Sequence, residues 1–498
     1  MRHLIKKQII ELSLNSSLNY FQIQQQVSDR YWSEIVPLLE KAFDAISSED
    51  EVIEIDRFEL DLGVVSEKEI GTESWSREIK KKIQEKMIAI TDPGSSQYAI
   101  RSRDRRLGVF GQWLYYMEHG FLHWNTVKPD DKWYQDVLEA LAVDIKSHQT
   151  LQGKILQNPF LLQRIVSQHP GYFLQKLTEI LTAKKQEDLP ASMEELLLLY
   201  RYLKNQKKIM GNQNDQEIKN IFWQRVLGWA SGGKSNSADQ TLSSAMIHFF
   251  VDEHALTARI PASLVEKIPL VLPRLVQYSG ELKSRQQREK NQIATVVKDI
   301  QDMTASKNNA SGTNNTDDLE QLSKYNSRAI DRDGIFIVNA GSVLLHPFLK
   351  SLFSRLDLLN GNAFISKQAQ QTSLLLIHYL GTGQTKAMEY ELALAKILCA
   401  FPLEKPVDLA DGLPRKFIQE ADLLLEAAIG QWKILKNTTF GGLREGFLQR
   451  GGKLFSKNGN LYLQVEKNSI DVLLDYLPWS LSMVILPWMK DMLRVEWR

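Results

Sequence analysis

Glu54, Asp56, Glu59 and Asp61 alternate with apolar residues in the run VIEIDRFELDLGVV. Carboxylates in that number can hold a hard cation or divide acid and base roles between them. No histidine or further carboxylate cluster lies nearby in sequence to complete a ligand set, so the run reads as the solvated face of a half-buried strand. GTGQTK, residues 381–386, has the glycine and lysine of a phosphate-binding loop, but it lacks the GxxxxGK[ST] spacing and follows a helix. It reads as a helix C-cap and turn. FGGLREGFLQRGG, residues 440–452, offers two readings. Arg444 and Arg450 could cradle an anion there, or the glycines end a helix and start a hairpin while the arginines bind carboxylates inside the fold.

The single cysteine, Cys399, lies in KILCAF on an apolar helix face, where a thiol is buried and inert. His346 and His378 are the plausible bases of the C-terminal half, yet no serine or cysteine motif pairs with either. Nucleophile-elbow, HExxH, kinase and Rossmann patterns are absent. No catalytic residue, cofactor site or metal site is expected. Basic clusters at residues 101–106, 80–82 and 283–290 are broken by acidic or amide residues or sit on a helix's polar side, so nucleic acid is not an expected partner. Trp479, Trp488 and Trp497 recur every nine residues, in LPW, LPW and VEW. Such rings either fill a core or anchor an interface, and with Arg444 and Arg450 they form the candidate interaction surface.

Composition narrows the class. The 498 residues carry 61 Lys+Arg against 60 Asp+Glu, which leaves no chain-wide field to recruit nucleic acid or anionic lipid. One cysteine excludes an internal disulfide. No stretch approaches the ~18 consecutive apolar residues of a membrane span. The opening MRHLIKKQIIELSL lacks a long apolar core of the signal-peptide kind, so the cytoplasm is the expected location.

Four segments are expected to position these residues. Residues 1–92 read strand–helix–strand–helix. The first strand lies in residues 3–14 and the second in residues 53–62, where a bulge at Asp56-Arg57 would bring all the apolar residues to one face. The helical stripes are Tyr31, Ile35, Leu38, Leu39, Ala42, Phe43 and Ile46, with Pro37 marking a kink or a fresh start, then Trp75, Ile79, Ile83 and Met87, closed by Asp92-Pro93-Gly94. Residues 93–280 read as short helices in series, at 110–117, 133–143, 160–166, 173–181, 221–229 and 245–251, a bundle or irregular solenoid without a fixed repeat. Residues 281–331 form a polar linker, whose stretch ASKNNASGTNNTDD cannot bury enough to offset its ordering entropy. Residues 332–498 read as an α+β module: a strand in IFIVNAG, four helices, a hairpin about Asn458-Gly459, and a last strand with Leu493, Val495 and Trp497 on one face. The fold class is α+β, predominantly α-helical.

Several stretches share their order with a known family. NAGSVLLHPFLKSLFSRLDLL, LLLIHYLGTG, EYELALAKILCAFPLEKPV, LREGFLQRGGKL and LYLQVEKNSIDVLLDYLPWSLSMVILPWMKDMLRVEW resemble the tape-measure family of bacterial contractile injection systems. IEIDRFELDLGVV resembles that family's strand motif, and FGQWLYYMEHGFLHWN its helix-then-Leu-Pro-Trp-Trp motif, with His123 in place of the proline and Asn125 in place of the second tryptophan. The resemblance covers residues 1–125 and 335–498. It implies a non-enzymatic structural or assembly protein of a phage tail-like toxin-delivery particle, setting tube length or scaffolding assembly. The alternative it leaves open is a soluble adaptor or cargo-loading chaperone. The implied partners are tube, baseplate or cap proteins and toxin cargo. A ruler needs a long helix rising ~1.5 Å per residue, whereas the candidate extended stretch of about fifty residues would reach only ~75 Å.

Overall fold

The structure is a computed structural model that describes residues 3, 5, 8–14, 19–46, 51–55, 57–91, 100–126, 128–205, 214–232, 262–271, 334–408, 412–435 and 437–497. The expected helix at 245–251, the turn at Asp92-Pro93-Gly94 and the linker at 281–331 lie outside the described residues. Contacts divide the chain into two units, residues 1–112 with 125–143 and residues 113–124 with 144–498.

In the first unit, α1 (Tyr20–Arg30) runs through a π-helical turn (Tyr31–Ile35) into α2 (Val36–Asp44). Helical backbone continues through Ile35 and Val36, so Pro37 starts no fresh helix; it follows directly on the π-helical turn, the local irregularity of an otherwise unbroken run. α3 (Glu73–Thr91) contributes Trp75, Ile79, Ile83 and Met87 at four-residue steps, and these bury against Tyr31 and Ile35. β1 (Glu51–Ile55) pairs antiparallel with β2 (Ile100–Asp104), Glu51 opposite Asp104 and Ile55 opposite Ile100. The first turns of α4 (Arg105–His119), to Gln112, and α5 (Asp131–Val143) complete this unit, while α4 from Trp113 on belongs to the second.

Two features of this unit differ from the sequence reading. The described residues of 3–14 form no strand, and Ile5, Ile9, Ile10, Leu12 and Leu14 are exposed. Adjacent Ile9 and Ile10 send apolar groups to opposite faces of an extended chain, so neither face gains a clear drive for burial. The second expected strand keeps its ladder only to Ile55, and the bulge cannot be followed because Asp56 lies outside the described residues. Beyond it, Phe58, Leu60 and Leu62 pack on the helical core while Arg57, Glu59 and Asp61 stay exposed, an alternation of period two without a ladder partner.

In the second unit α6 (Ile145–Gln157), α7 (Pro159–Gln168), α8 (Gly171–Thr182), α9 (Leu189–Asn205) and α10 (Asp215–Gly232) build a helical layer, with α10 packed on α6, α7 and α8. Capping explains why these helices stay short. Asp144 accepts from the Ser147 N–H at 2.8 Å, and Asn158 accepts from the Phe160 and Leu161 N–H groups just before Pro159 opens α7.

The C-terminal part is a five-stranded sheet in the order β3 (Ile335–Ile337), β6 (Gly452–Lys457), β7 (Asn460–Val465), β9 (Leu493–Glu496), β8 (Met483–Val484). A separate two-stranded ribbon joins β4 (Leu359–Asn360) to β5 (Ala363–Phe364). The predicted hairpin is present: Asn458 and Gly459 take φ of 53° and 75°, and Lys457 lies opposite Asn460. β9 returns parallel to β7 and buries Leu493 and Trp497. The helix Lys367–Thr382 is buried on nearly every side from Ser373 to Gly381, as its all-round apolar sequence requires. The whole is an α+β fold dominated by helix.

Candidate interaction site and buried charge network

The five surface candidates are held by specific partners within the second unit. The Trp479 indole N–H donates to Leu344 O at 3.0 Å and its ring stands edge-on to Phe348. The Trp488 N–H donates to Leu398 O at 2.7 Å, with the ring against Phe353 and Phe364. Trp497 is buried, and its Nε1 finds no hydrogen-bond partner among the described residues. Arg444 donates to the carbonyls of Leu380 (3.2 Å) and Tyr379 (3.3 Å) and lies over the Tyr379 ring. It thereby closes the helix end at which Gly383 takes φ +75°, so GTGQTK is the turn its sequence indicates. Arg450, buried, donates to Gly446 O (2.8 Å) and to Asp471 Oδ1 (2.9 Å). Trp479, Trp488 and Arg444 keep part of their surface at the solvent.

The residues singled out for chemistry are placed apart. Glu59 pairs with Arg57 at the surface, and Asp61 accepts from the Gly63 N–H at 2.8 Å in a local turn. Cys399 is buried, which pushes its thiol well up from the ordinary range. His346 Nδ1 donates to Val343 O at 3.0 Å at the start of a helix. Among the described residues no group of three or more His, Cys, Asp or Glu side chains is placed to hold a metal ion.

A different constellation carries buried charge. Arg164 on α7, Glu389 in a 3-10 turn (Glu389–Leu392) and Lys396 on the helix Ala393–Leu398 are all within 1% of full burial. Arg164 Nε donates to Glu389 Oε2 (3.0 Å), Nη1 to Met117 O (2.5 Å) and Nη2 to Glu404 O (2.5 Å). Lys396 spends its three donors on Glu389 Oε1 (2.5 Å), Leu403 O (2.7 Å) and Lys405 O (3.0 Å). Burial pushes the Lys396 ammonium down to about 8, against the pull of Glu389. The Glu389 N–H donates to Gln168 Oε1 (3.0 Å), which also accepts from the Tyr116 hydroxyl (3.0 Å). Five stretches therefore meet at one carboxylate: the end of α4, α7, the 3-10 turn, the following helix and the 403–405 loop. Gly120 closes the lid on it. Its φ of +82° caps α4, and a Cβ there would stand 2.5 Å from Glu389 Oε1 and 3.0 Å from Arg164 Nη2.

Sequence reasoning missed this network. Arg164 and Glu389 are 225 residues apart, beyond any local pattern. One signal was available: Lys396 lies in LALAKILCAF, where a lysine inside an apolar helix needs a buried partner. Chemically the triad is a fastener rather than a reaction centre, since every charged group is saturated by fixed protein atoms.

The fastener continues through a neutral histidine. His169 Nδ1–H donates to Ile165 O (2.8 Å), leaving Nε2 to accept from the Trp113 indole (3.0 Å), with the ring stacked on Phe173. Burial lowers its pKa from 6.5 to about 4. The unfolded chain then binds a proton below pH 6.5 that the folded chain refuses until about pH 4, so stability falls with pH across that window. The expected loss is about 3 kcal/mol at pH 4. Melting temperature followed against pH should show this slope in the native chain and a flatter one in His169→Gln.

Comparison with known proteins gives one match. A family model described as contractile injection system tape measure protein matches residues 2–497, so the helical middle falls within it as well as the two ends. No curated protein and no solved structure matches the chain.

Proposed function

The chain belongs to the contractile injection system tape measure family, and we propose that it serves the particle as a folded, non-enzymatic assembly scaffold rather than as an extended ruler. The observation that carries this reading is the buried triad. Arg164, Glu389 and Lys396 satisfy one another only while segments far apart in sequence stay packed, and pulling the chain into a rod would break this network together with the apolar packing that encloses it. Helix length argues the same way. Among the described residues the longest helical run goes from α1 through the π-helical turn into α2, Tyr20–Asp44, and spans only ~37 Å at ~1.5 Å per residue. No helix of the described residues is long and apolar enough to cross a membrane.

In this reading the partners are tube, baseplate or cap proteins, and the segment boundaries near 92, 280 and 331 separate a terminal module, a helical layer, a linker and the C-terminal module. The partly exposed Trp479, Trp488 and Arg444 are the part of the tryptophan–arginine set open to such partners, whereas Trp497 and Arg450 are buried.

Deleting the gene from a producing strain tests the role. Electron microscopy of the sheared preparation should find assembled particles lost or reduced at least about tenfold, a cost equivalent to ~1.4 kcal/mol or more in an assembly equilibrium. Normal particles in normal yield would refute the proposal.

A further inference from the structure

The C-terminal sheet has one face on the core and another that nothing in the described chain covers. Ile335, Ile337, Leu454, Leu463, Val465, Leu493 and Val484 are buried on the inner face. A sheet solvated on its second side normally alternates apolar inside with polar outside. This one does not. Phe336 is 47% exposed, Val338 66%, Met483 56% and Ile485 59%, and Phe455 and Tyr462 are half-buried, outside the core cluster.

The register makes these residues one surface. Phe336 lies opposite Lys453, Phe455 opposite Tyr462, Tyr462 beside Arg494, and Arg494 opposite Met483. The Phe455 and Tyr462 rings stack at 5.2 Å and 13°, and the Lys453 ammonium sits 5.3 Å from the Phe336 ring centre. Cross-strand pairs of this kind hold the side chains in place, so little ordering entropy remains to be lost on docking. The charged members of the face are Lys453, Lys457 and Arg494 against Glu496 and, just past the end of β7, Glu466, which leaves the cations in excess. Arg494 and Lys457 pair with no carboxylate among the described residues.

We propose that this face docks a second polypeptide through an element that presents apolar side chains flanked by carboxylates. Three observations select that occupant. Cations and apolar side chains alternate across the face, Lys453 between Phe336 and Gln464 and Arg494 between Tyr462 and Met483, so a fitting occupant sets carboxylates among its apolar groups. A second copy of the chain would bring Lys453, Lys457 and Arg494 against their own like charges, which opposes face-to-face pairing. A nucleic-acid strand needs a longer track of cations and open ring faces, whereas here the two central rings already cover each other. The sheet edges are poor sites for an added strand, since β3 has three residues and β8 two. Docking therefore uses the face.

The surface is read from the sheet alone, and only the choice of cells rests on the family reading. The experiment places a photo-reactive phenylalanine analogue at position 462 of the full-length chain, in cells producing the other particle components. Irradiation precedes particle purification, so a partner is detected whether or not the chain stays in the particle or is needed for it. The expected product is a cross-link to a different polypeptide, at a peptide with Asp or Glu around apolar residues. Lys453→Glu with Arg494→Glu should lower its yield about tenfold at unchanged melting temperature. If that pair melts early, Arg494→Glu alone, a change at an exposed side chain, must still lower the yield about threefold. A cross-link to the chain itself or to a second copy, a nuclease-sensitive product, a yield indifferent to charge reversal, or no cross-link would each overturn the proposal.

Discussion

Replacing Glu389 with alanine is expected to destabilise the second unit by about 3–5 kcal/mol, the cost of leaving buried cations without their counter-charge. The side chain is fully buried and takes bonds from both Arg164 and Lys396, so its loss strands two positive groups instead of one. Neither cation can turn to water, because both are within 1% of full burial. Calorimetry of the full chain should show the transition of this unit falling in temperature, with any separate transition of the first unit unmoved. The sharper comparison removes all three charges together, as Arg164→Met, Glu389→Leu and Lys396→Met. That variant should recover most of the loss, because well-packed apolar residues commonly match a buried ion network in stability. A Glu389→Ala cost below ~1 kcal/mol would mean that the network holds nothing together.

The second large effect is expected at Gly341, in the 3-10 segment Ala340–Leu345. A Cβ built there would lie 1.7 Å from Phe447 O, 2.7 Å from Phe447 C and 2.9 Å from Leu448 Cα. These are backbone atoms of the π-helical turn Arg444–Leu448, so no side chain can swing aside. Gly341→Ala should therefore exceed the ~1–3 kcal/mol usual for overpacking and separate two segments that frame the sheet. Gly430 is the control. It lies in the helix Arg415–Gln431 with nothing within 4 Å of its would-be Cβ, and Gly430→Ala should stabilise by about 0.5–1 kcal/mol. Equal effects at the two glycines, read as shifts in denaturation midpoint, would contradict the packing described here.

What could be read from the sequence was local. The stripe at Trp75, Ile79, Ile83 and Met87, the turn at Asn458-Gly459 and the cap at Gly383 each follow from a few neighbouring residues, and the fold places them so. The strand expected within residues 3–14 needed a ladder partner, and local alternation carries no information about whether one exists. The triad is invisible for a related reason. Its three members come from two distant stretches, and ordinary residues such as Met117 and Leu403 contribute only their carbonyls. Gly120 and Gly341 are equally mute in a single sequence, since a glycine needed for close approach looks like a glycine in any turn. Arg444 and Arg450 were half-legible. The expectation that they bind inside the fold names their role, but only Arg450 meets a carboxylate, while Arg444 is absorbed by helix-end carbonyls.

The central claim is that this member of the tape measure family acts folded, as a scaffold. Its most direct test is tube length. Removing about thirty residues from within 281–331 and measuring particles by electron microscopy should leave the length distribution unchanged, because the folded units that carry the role are intact. Tubes shortened in proportion, by roughly 1.5 Å for each residue removed, would contradict the account and establish the chain as a ruler.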